Sequence, residues 1–343
     1  MHKSKYIDNG TINENSKIVI GIGDSFCAGT GSESIETWKE NDWDVEKMRV
    51  SYKAINEGYE NSFINVLCKK HMPDYTPINF GMAGRGNKFA IRELFLHPTI
   101  GLEKAKEKIV VFVLSGLERL DFVNDISDEH SIHATTIFPS YNEKGKVGYA
   151  ELTNYSNESL YNEHFVYSEF LVDFFMLLQW CEINNAKLLF VSAFTPGINR
   201  NNFYDIILGE KRHTLATKVT RALVDKIPWH RQILPQNFEC IVHMLLHLEK
   251  KDDLIDDYKF RLFKIKKISK YGYMSKCQHP TKKGHELLAD IVYEYILNYD
   301  QQQPLDFTEK NKLEDIKSIE EIKKQMIEKE EAEMPRKKDK SLI

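Results

Sequence analysis

Residues 20–31 read "IGIGDSFCAGTG": an apolar run stops at Gly23-Asp24-Ser25 and small residues take over. A serine just past a buried strand stands at the carboxyl end of a parallel sheet, where open α/β folds bind their ligands. Gly23, Ala28, Gly29 and Gly31 leave room for a substrate to approach the backbone. A helix beginning at or just after Ser25 would aim its first amides at the serine oxygen and favour negative charge there. Such a serine could act as a nucleophile, with its own backbone N–H as an oxyanion donor. It could equally cap the helix, and the motif alone leaves both uses open.

Two further stretches carry comparable signals. "NFGMAGRGN" at 79–87 contains Asn79-x-Gly81-x-x-Gly84, a bare backbone at the end of a second apolar run. "CQHPTKKGHELLA" at 277–289 places His279 before Pro280 at a helix start, where the ring is held rigidly and can project toward the sheet's end. Other glycine-rich chemistries fail. A dinucleotide fingerprint needs glycine or alanine three residues after its second glycine. After Gly21-x-Gly23 that residue is Phe26, and after Gly84-x-Gly86 it is Phe89. No glycine-rich loop ends in Gly-Lys-Ser/Thr, so a P-loop is absent. Cys277-x-His279 is too thin for zinc, which takes three or four ligands. No metal and no organic cofactor is expected.

Four apolar runs read as the strands that would position these residues: 17–23, 77–81, 108–116 and 187–194. The third and fourth are continuous rather than alternating, as strands covered on both faces are. Helical patterns lie between them at 60–72, 87–96, 162–185 and 281–299, the third long, apolar and expected to be largely buried. Strands alternating with helices predict an open α/β sheet with right-handed crossovers. Residues 120–158 and 199–270 read as insertions, either of which could cap the sheet's edge. The domain so defined covers 17–299, after a polar tail at 1–16. Residues 300–343 are a linker followed by a charged amphipathic helix, with Leu313, Ile316, Ile319, Ile322 and Met326 recurring every three or four residues. That helix either packs back on the domain or offers 306–332 to a protein partner or to self-association.

The net charge of -4 gives no reason to expect nucleic-acid binding. No apolar run reaches the ~20 residues that span a bilayer, and the polar start lacks a signal-peptide pattern. Five scattered cysteines fit reduced thiols better than a disulfide framework. A cytoplasmic protein is therefore expected.

Together these residues resemble the SGNH hydrolases, the GDSL family of esterases and lipases. "GDSFCAG" at 23–29 is similar to the family's first block, "NFGMAG" at 79–84 to its second and "HPTKKGHELLA" at 279–289 to its fifth. The resemblance spans roughly 17–299 with the two insertions interrupting it. It implies a three-layer α/β/α fold with a flavodoxin-like, mostly parallel sheet of about five strands. It also implies a serine hydrolase acting on a carboxylic ester of esterase, lipase or carbohydrate deacetylase type. In that mechanism His279 is the general base, Ser25 forms an acyl-enzyme that water releases, and Gly84 donates an oxyanion N–H beside that of Ser25. Asp24 is read as holding the turn.

Two positions depart from the family. Leu117 and Glu118 align with the Asn-Asp of the third block, so the asparagine oxyanion donor is missing. Such a donor is worth about 2.7–4 kcal/mol in the transition state. Asn87, three residues past Gly84, is the candidate replacement, and Arg119 is a candidate substrate contact. Lys276 stands where the family has the aspartate that orients the histidine. A backbone carbonyl, or an Asp or Glu from an insertion, would have to replace it. The chain resembles a divergent, phage-type member, which implies a viral or bacterial cytoplasmic setting. The two departures also admit a second reading, a catalytically weak or inactive SGNH-fold binding or structural module that uses its C-terminal helix for interaction.

Overall fold

The first strand, β1 (Lys17–Gly23), is KIVIGIG, and every residue after Lys17 is buried. The computed structural model describes residues 12–42, 44, 47–48, 51–96, 101–116, 120–128, 131–137, 163–193, 223–233, 238, 240–250, 272–275 and 279–300. Next come the short helices α1 (Ser25–Ala28) and α2 (Ile35–Glu40), then α3 (Tyr52–Asn61) and α4 (Phe63–His71). Strand β2 (Thr76–Asn79), helix α5 (Asn87–Leu96) and strand β3 (Glu107–Leu114) follow. After them come β4 (Leu120–Asp128), β5 (Ser131–Ile137), α6 (Glu163–Ile183), β6 (Ala186–Ser192), α7 (Ile241–Leu248) and α8 (Lys282–Leu297).

Strands β2, β1, β3 and β6 form one sheet in that order, and all three pairings are parallel. The chain moves from β1 to one neighbour, β2, and then crosses back to the other, β3. That reversal makes the carboxyl ends of β1 and β3 the switch point of the sheet, the flavodoxin-like arrangement. The continuous apolar runs resolve into two faces with a period of two. Val19, Val111, Val113 and Leu189 pack with α4, α7 and α8. Ile18, Ile20, Phe112 and Phe190 pack with α5 and α6. The result is three layers with a core on each side of the sheet.

Several details differ from expectation. The main sheet has four strands among the described residues rather than about five. Part of 120–158, which showed no strong period, forms a separate antiparallel hairpin of β4 and β5. The helical pattern at 60–72 belongs to two helices, because Ser62 turns out of the helical region and accepts from Asn65 N to cap α4. Helix α7, inside the presumed insertion at 199–270, is core instead: Ile241, Val242, Met244, Leu245 and Leu246 are each 0% exposed. Helix α6 buries Phe170, Phe174 and Leu177, yet Val172, Met176 and Ile183 are exposed. The tail at 1–11 and the segment 301–343 lie outside the described residues. Among the described residues no helix is long and apolar enough to cross a membrane.

Candidate active site

Asp24, not Ser25, caps the helix that follows β1. Its backbone is extended and its Oδ1 accepts from Phe26 N at 3.0 Å, within a fully buried turn. Ser25 becomes the first helical residue. Gly29 ends the short turn in the left-handed region, returning its N–H to the Ser25 carbonyl. The Ser25 hydroxyl is thereby released from capping, and its Oγ lies 2.7 Å from His279 Nε2. The Ser25 backbone N–H has no acceptor among the described residues.

His279 reaches the serine from a tight bracket. Ser275 N and Ser275 Oγ both donate to the His279 carbonyl, at 2.8 and 2.9 Å. Thr281 N donates to Tyr273 O at 2.8 Å, and Thr281 then caps α8 by accepting from Gly284 N. The Phe26 ring sits 5.2 Å from the imidazole. Gly31 presses on the same bracket: a Cβ there would lie 2.7 Å from His279 Cβ and 2.8 Å from Pro280 O. Its φ of +95° is also one that side-chain-bearing residues rarely adopt. The glycine that follows the serine thus sets how closely the histidine approaches.

The second block supplies a clasp and a bare amide. Asn79, 2% exposed, accepts from Gly81 N at 2.9 Å and from Cys27 Sγ at 3.3 Å. Its Nδ2 donates to Cys27 O and Ser62 Oγ, at 2.8 and 3.0 Å. One buried carboxamide therefore ties the end of β2 to α1 and α4. Gly81 packs on Cys27 so closely that a Cβ would stand 2.6 Å from the Cys27 carbonyl carbon. Gly84 differs: its φ is +80° and a Cβ there would meet nothing within 4 Å. Its N–H has no acceptor among the described residues.

Asn87 begins α5 and is 6% exposed. Its Oδ1 accepts from Ser115 N at 2.7 Å while its Nδ2 donates to Ser115 O at 3.1 Å. The carboxamide continues the β3 ladder as a peptide group would, at the point where β1 has ended. One Nδ2 hydrogen is thus engaged, and the group carries a second. Leu117, Glu118, Arg119, Lys276, Cys277 and Gln278 lie outside the described residues.

Charges around the site are arranged by burial. Burial, and then the nearby Asp24 carboxylate, push the Cys27 thiol well above its ordinary pKa, which makes it an inert packing group. Burial raises the Glu33 carboxyl to about 7, although Gly31 N donates to its Oε2 at 2.8 Å. His285, one turn into α8, is fully buried and stacks on Phe63, 6.3 Å between centroids. Burial first, and then the neighbouring His279, drive its pKa down to about 3. The Thr30 carbonyl opposes that shift, yet neither ring nitrogen makes a hydrogen bond of ordinary geometry among the described residues. Among the described residues no group of three His, Cys, Asp or Glu side chains could hold a metal ion.

Ser25, Gly84, Asn87 and His279 stand out in the sequence, whereas the Asn79 clasp, the thrust of Gly31 on His279 and the ring of His285 behind it do not. An asparagine at the end of an apolar strand was the one visible sign of the clasp.

No family model matches the chain. No curated protein matches it either. Among solved structures, the chain is similar to an acetyl xylan esterase, AlAXEase, at TM-score 0.34 and 12% identity, over 81% of this chain and 98% of that one. It is also similar to LAE5, an α/β hydrolase enzyme from the metagenome of Lake Arreo, Spain, at TM-score 0.33 and 11% identity, over 83% of this chain and 97% of that one. Likenesses at this level leave the chemistry to be read from the residues.

Proposed function

We propose that the protein is a serine hydrolase of carboxylic esters, with Ser25 as nucleophile and His279 as general base. The observation that carries this is the 2.7 Å approach of His279 Nε2 to Ser25 Oγ at the sheet's switch point. In this reading Nε2 accepts the hydroxyl proton, and the proton of the neutral ring sits on Nδ1. Ser25 Oγ attacks the ester carbonyl, the C–O double bond opens to an oxyanion, and the imidazolium returns its proton to the leaving alkoxide. Water repeats the sequence on the acyl-enzyme and releases the acid.

Two backbone amides without an acceptor among the described residues, Ser25 N–H and Gly84 N–H, support an oxyanion hole beside the nucleophile. The second Nδ2 hydrogen of Asn87 is the third donor, its direction set by the bond that the first makes to Ser115 O. This replaces the asparagine that Leu117 lacks. The substrate is a small-molecule, carbohydrate or lipid ester met in the cytoplasm, and Arg119 is its additional contact.

The test is labelling with a fluorophosphonate probe alongside hydrolysis of a short activated ester. Wild type should label and turn over. Ser25→Ala and His279→Ala should lose both by at least about 10⁴-fold with unchanged melting temperature. Absence of Ser25-dependent labelling and of hydrolysis in the wild type would overturn the assignment in favour of a non-catalytic module. Asn87→Ala should lower kcat with KM little changed; an unchanged kcat removes it from the oxyanion hole.

A further inference from the structure

At the foot of the sheet, roughly 25 Å from Ser25 by the length of β3, lies an open cavity of about 830 Å³. Its apolar lining comes from Ile109, Phe175, Leu178 and Ile296. Lys106, Lys108, Lys187, Lys226 and Arg231 line it together with Glu107, Glu182 and Asp300, which leaves a small cationic excess. Helix α6 supplies Phe175, Leu178, Gln179 and Glu182 to one wall. Directly beside that wall runs a second strip of the same helix. Val172, Met176 and Ile183 are 51%, 45% and 81% exposed and, at spacings of four and seven residues, share one face. Helix α6 thus presents an uncovered apolar strip next to the groove.

The chain itself points to the occupant. Tyr299 and Asp300, the last described residues, line the groove. From there the twelve residues 301–312 would span up to ~40 Å at full extension, more than the ~16 Å of α6 between Val172 and Ile183. Beyond them, Leu313, Ile316, Ile319, Ile322 and Met326 recur at helical spacing. Residues 306–332 hold nine acidic and six basic side chains, a negative balance opposite in sign to the groove's small cationic excess. A segment so tethered reaches its site at an effective concentration in the millimolar range, ahead of any partner at cellular concentration.

We propose that residues 313–326 fold back as an amphipathic helix, laying their apolar side chains on the exposed strip of α6 and the adjoining groove. The C-terminal segment is then an intramolecular cover for the foot of the domain.

The experiment uses the full chain carrying Met176→Cys together with Ile319→Cys, treated with a short bismaleimide at low protein concentration. The expected product is a cross-linked monomer. It should fall at least about tenfold when Ile316→Asp and Ile322→Asp are added, because these place charge on the apolar face. A cross-linked dimer would instead make a second copy the occupant and overturn the proposal. So would equal cross-linking with Ile35→Cys on α2, an exposed site away from this wall. Hydrogen exchange on the unmodified chain gives a second readout. Amides in 313–326 should exchange at least roughly tenfold slower than in Met176→Glu; equal rates would overturn the proposal.

Discussion

The two ends of the parallel sheet are built from different materials. At the carboxyl end the contacts are made to main chain: Gly81 lies on Cys27, the Gly31 backbone lies against His279 and Pro280, and the short Asn79 and Asn87 carboxamides bond to backbone. At the foot, long side chains do the joining. Lys187 pairs with Asp300 at 2.9 Å, and Lys187 and Arg231 flank the Tyr299 ring at 4.9 and 4.8 Å. A side chain can swing away from an intruding methyl, but a backbone held from both sides cannot. The upper end should therefore be intolerant of change and geometrically fixed, and the foot tolerant and adaptable.

The sharpest break in that contrast is Gly31→Ala. The added methyl collides with His279 and Pro280, so stability should fall by about 1–3 kcal/mol through overpacking. The ester hydrolysis proposed for Ser25 should fall by about 100-fold, as a misplacement near 1 Å does. Denaturant midpoints and kcat/KM measured together check this; near-wild-type values would mean that the bracket yields.

His285→Phe comes next. The buried ring has a folded pKa of about 3 against an ordinary 6.5. As pH falls through 6.5 the unfolded chain takes up a proton that the folded chain refuses. Stability is thus full above pH 6.5 and is lost on acidification toward 3. At pH 5 that loss is up to about 2 kcal/mol. Phenylalanine keeps the stack on Phe63 and cannot titrate, so the variant should be spared this loss, seen by comparing unfolding at pH 7 and pH 5.

Glu33→Gln has the opposite pH sense. The carboxyl, raised from 4.5 to about 7, ionises in the unfolded chain before it does in the folded one. Its cost is absent below pH 4.5 and complete above 7. The glutamine variant, which can still accept from Gly31 N, should gain about 1–2 kcal/mol at pH 8, allowing for its partial exposure, and nothing at pH 4. The smallest change is expected at the foot. Lys187→Met should move stability by less than about 1 kcal/mol, since both members of its ion pair face water. A larger loss there would erase the contrast between the two ends.

The parts of the fold legible from sequence were those that hydrophobicity alone dictates. Strands β1, β3 and β6 stand out because burial on both faces leaves no polar interruption. The β4–β5 hairpin did not, because its alternation is broken by register shifts near Val123 and Ile126. Nothing in the sequence separates helix α7 from an insertion, because its role in the core is set by packing, not by its place in the chain. At the site, glycines and a proline marked where Ser25 and His279 stand along the chain. That Asp24 rather than Ser25 caps α1 is a matter of one hydrogen bond, which composition does not encode. The Asn87–Ser115 exchange and the contact of Gly31 with His279 depend on segments brought together by the whole fold.

Ser25 and His279 are separated by 254 residues of chain. During translation at about 5–20 residues per second, the serine turn leaves the ribosome roughly 13 to 50 seconds before the histidine does. For that interval the nascent domain carries its serine without the imidazole 2.7 Å away in the finished fold. The pair is completed only when α8 docks, so the nucleophilic reactivity proposed for Ser25 would arrive as a late event of biosynthesis.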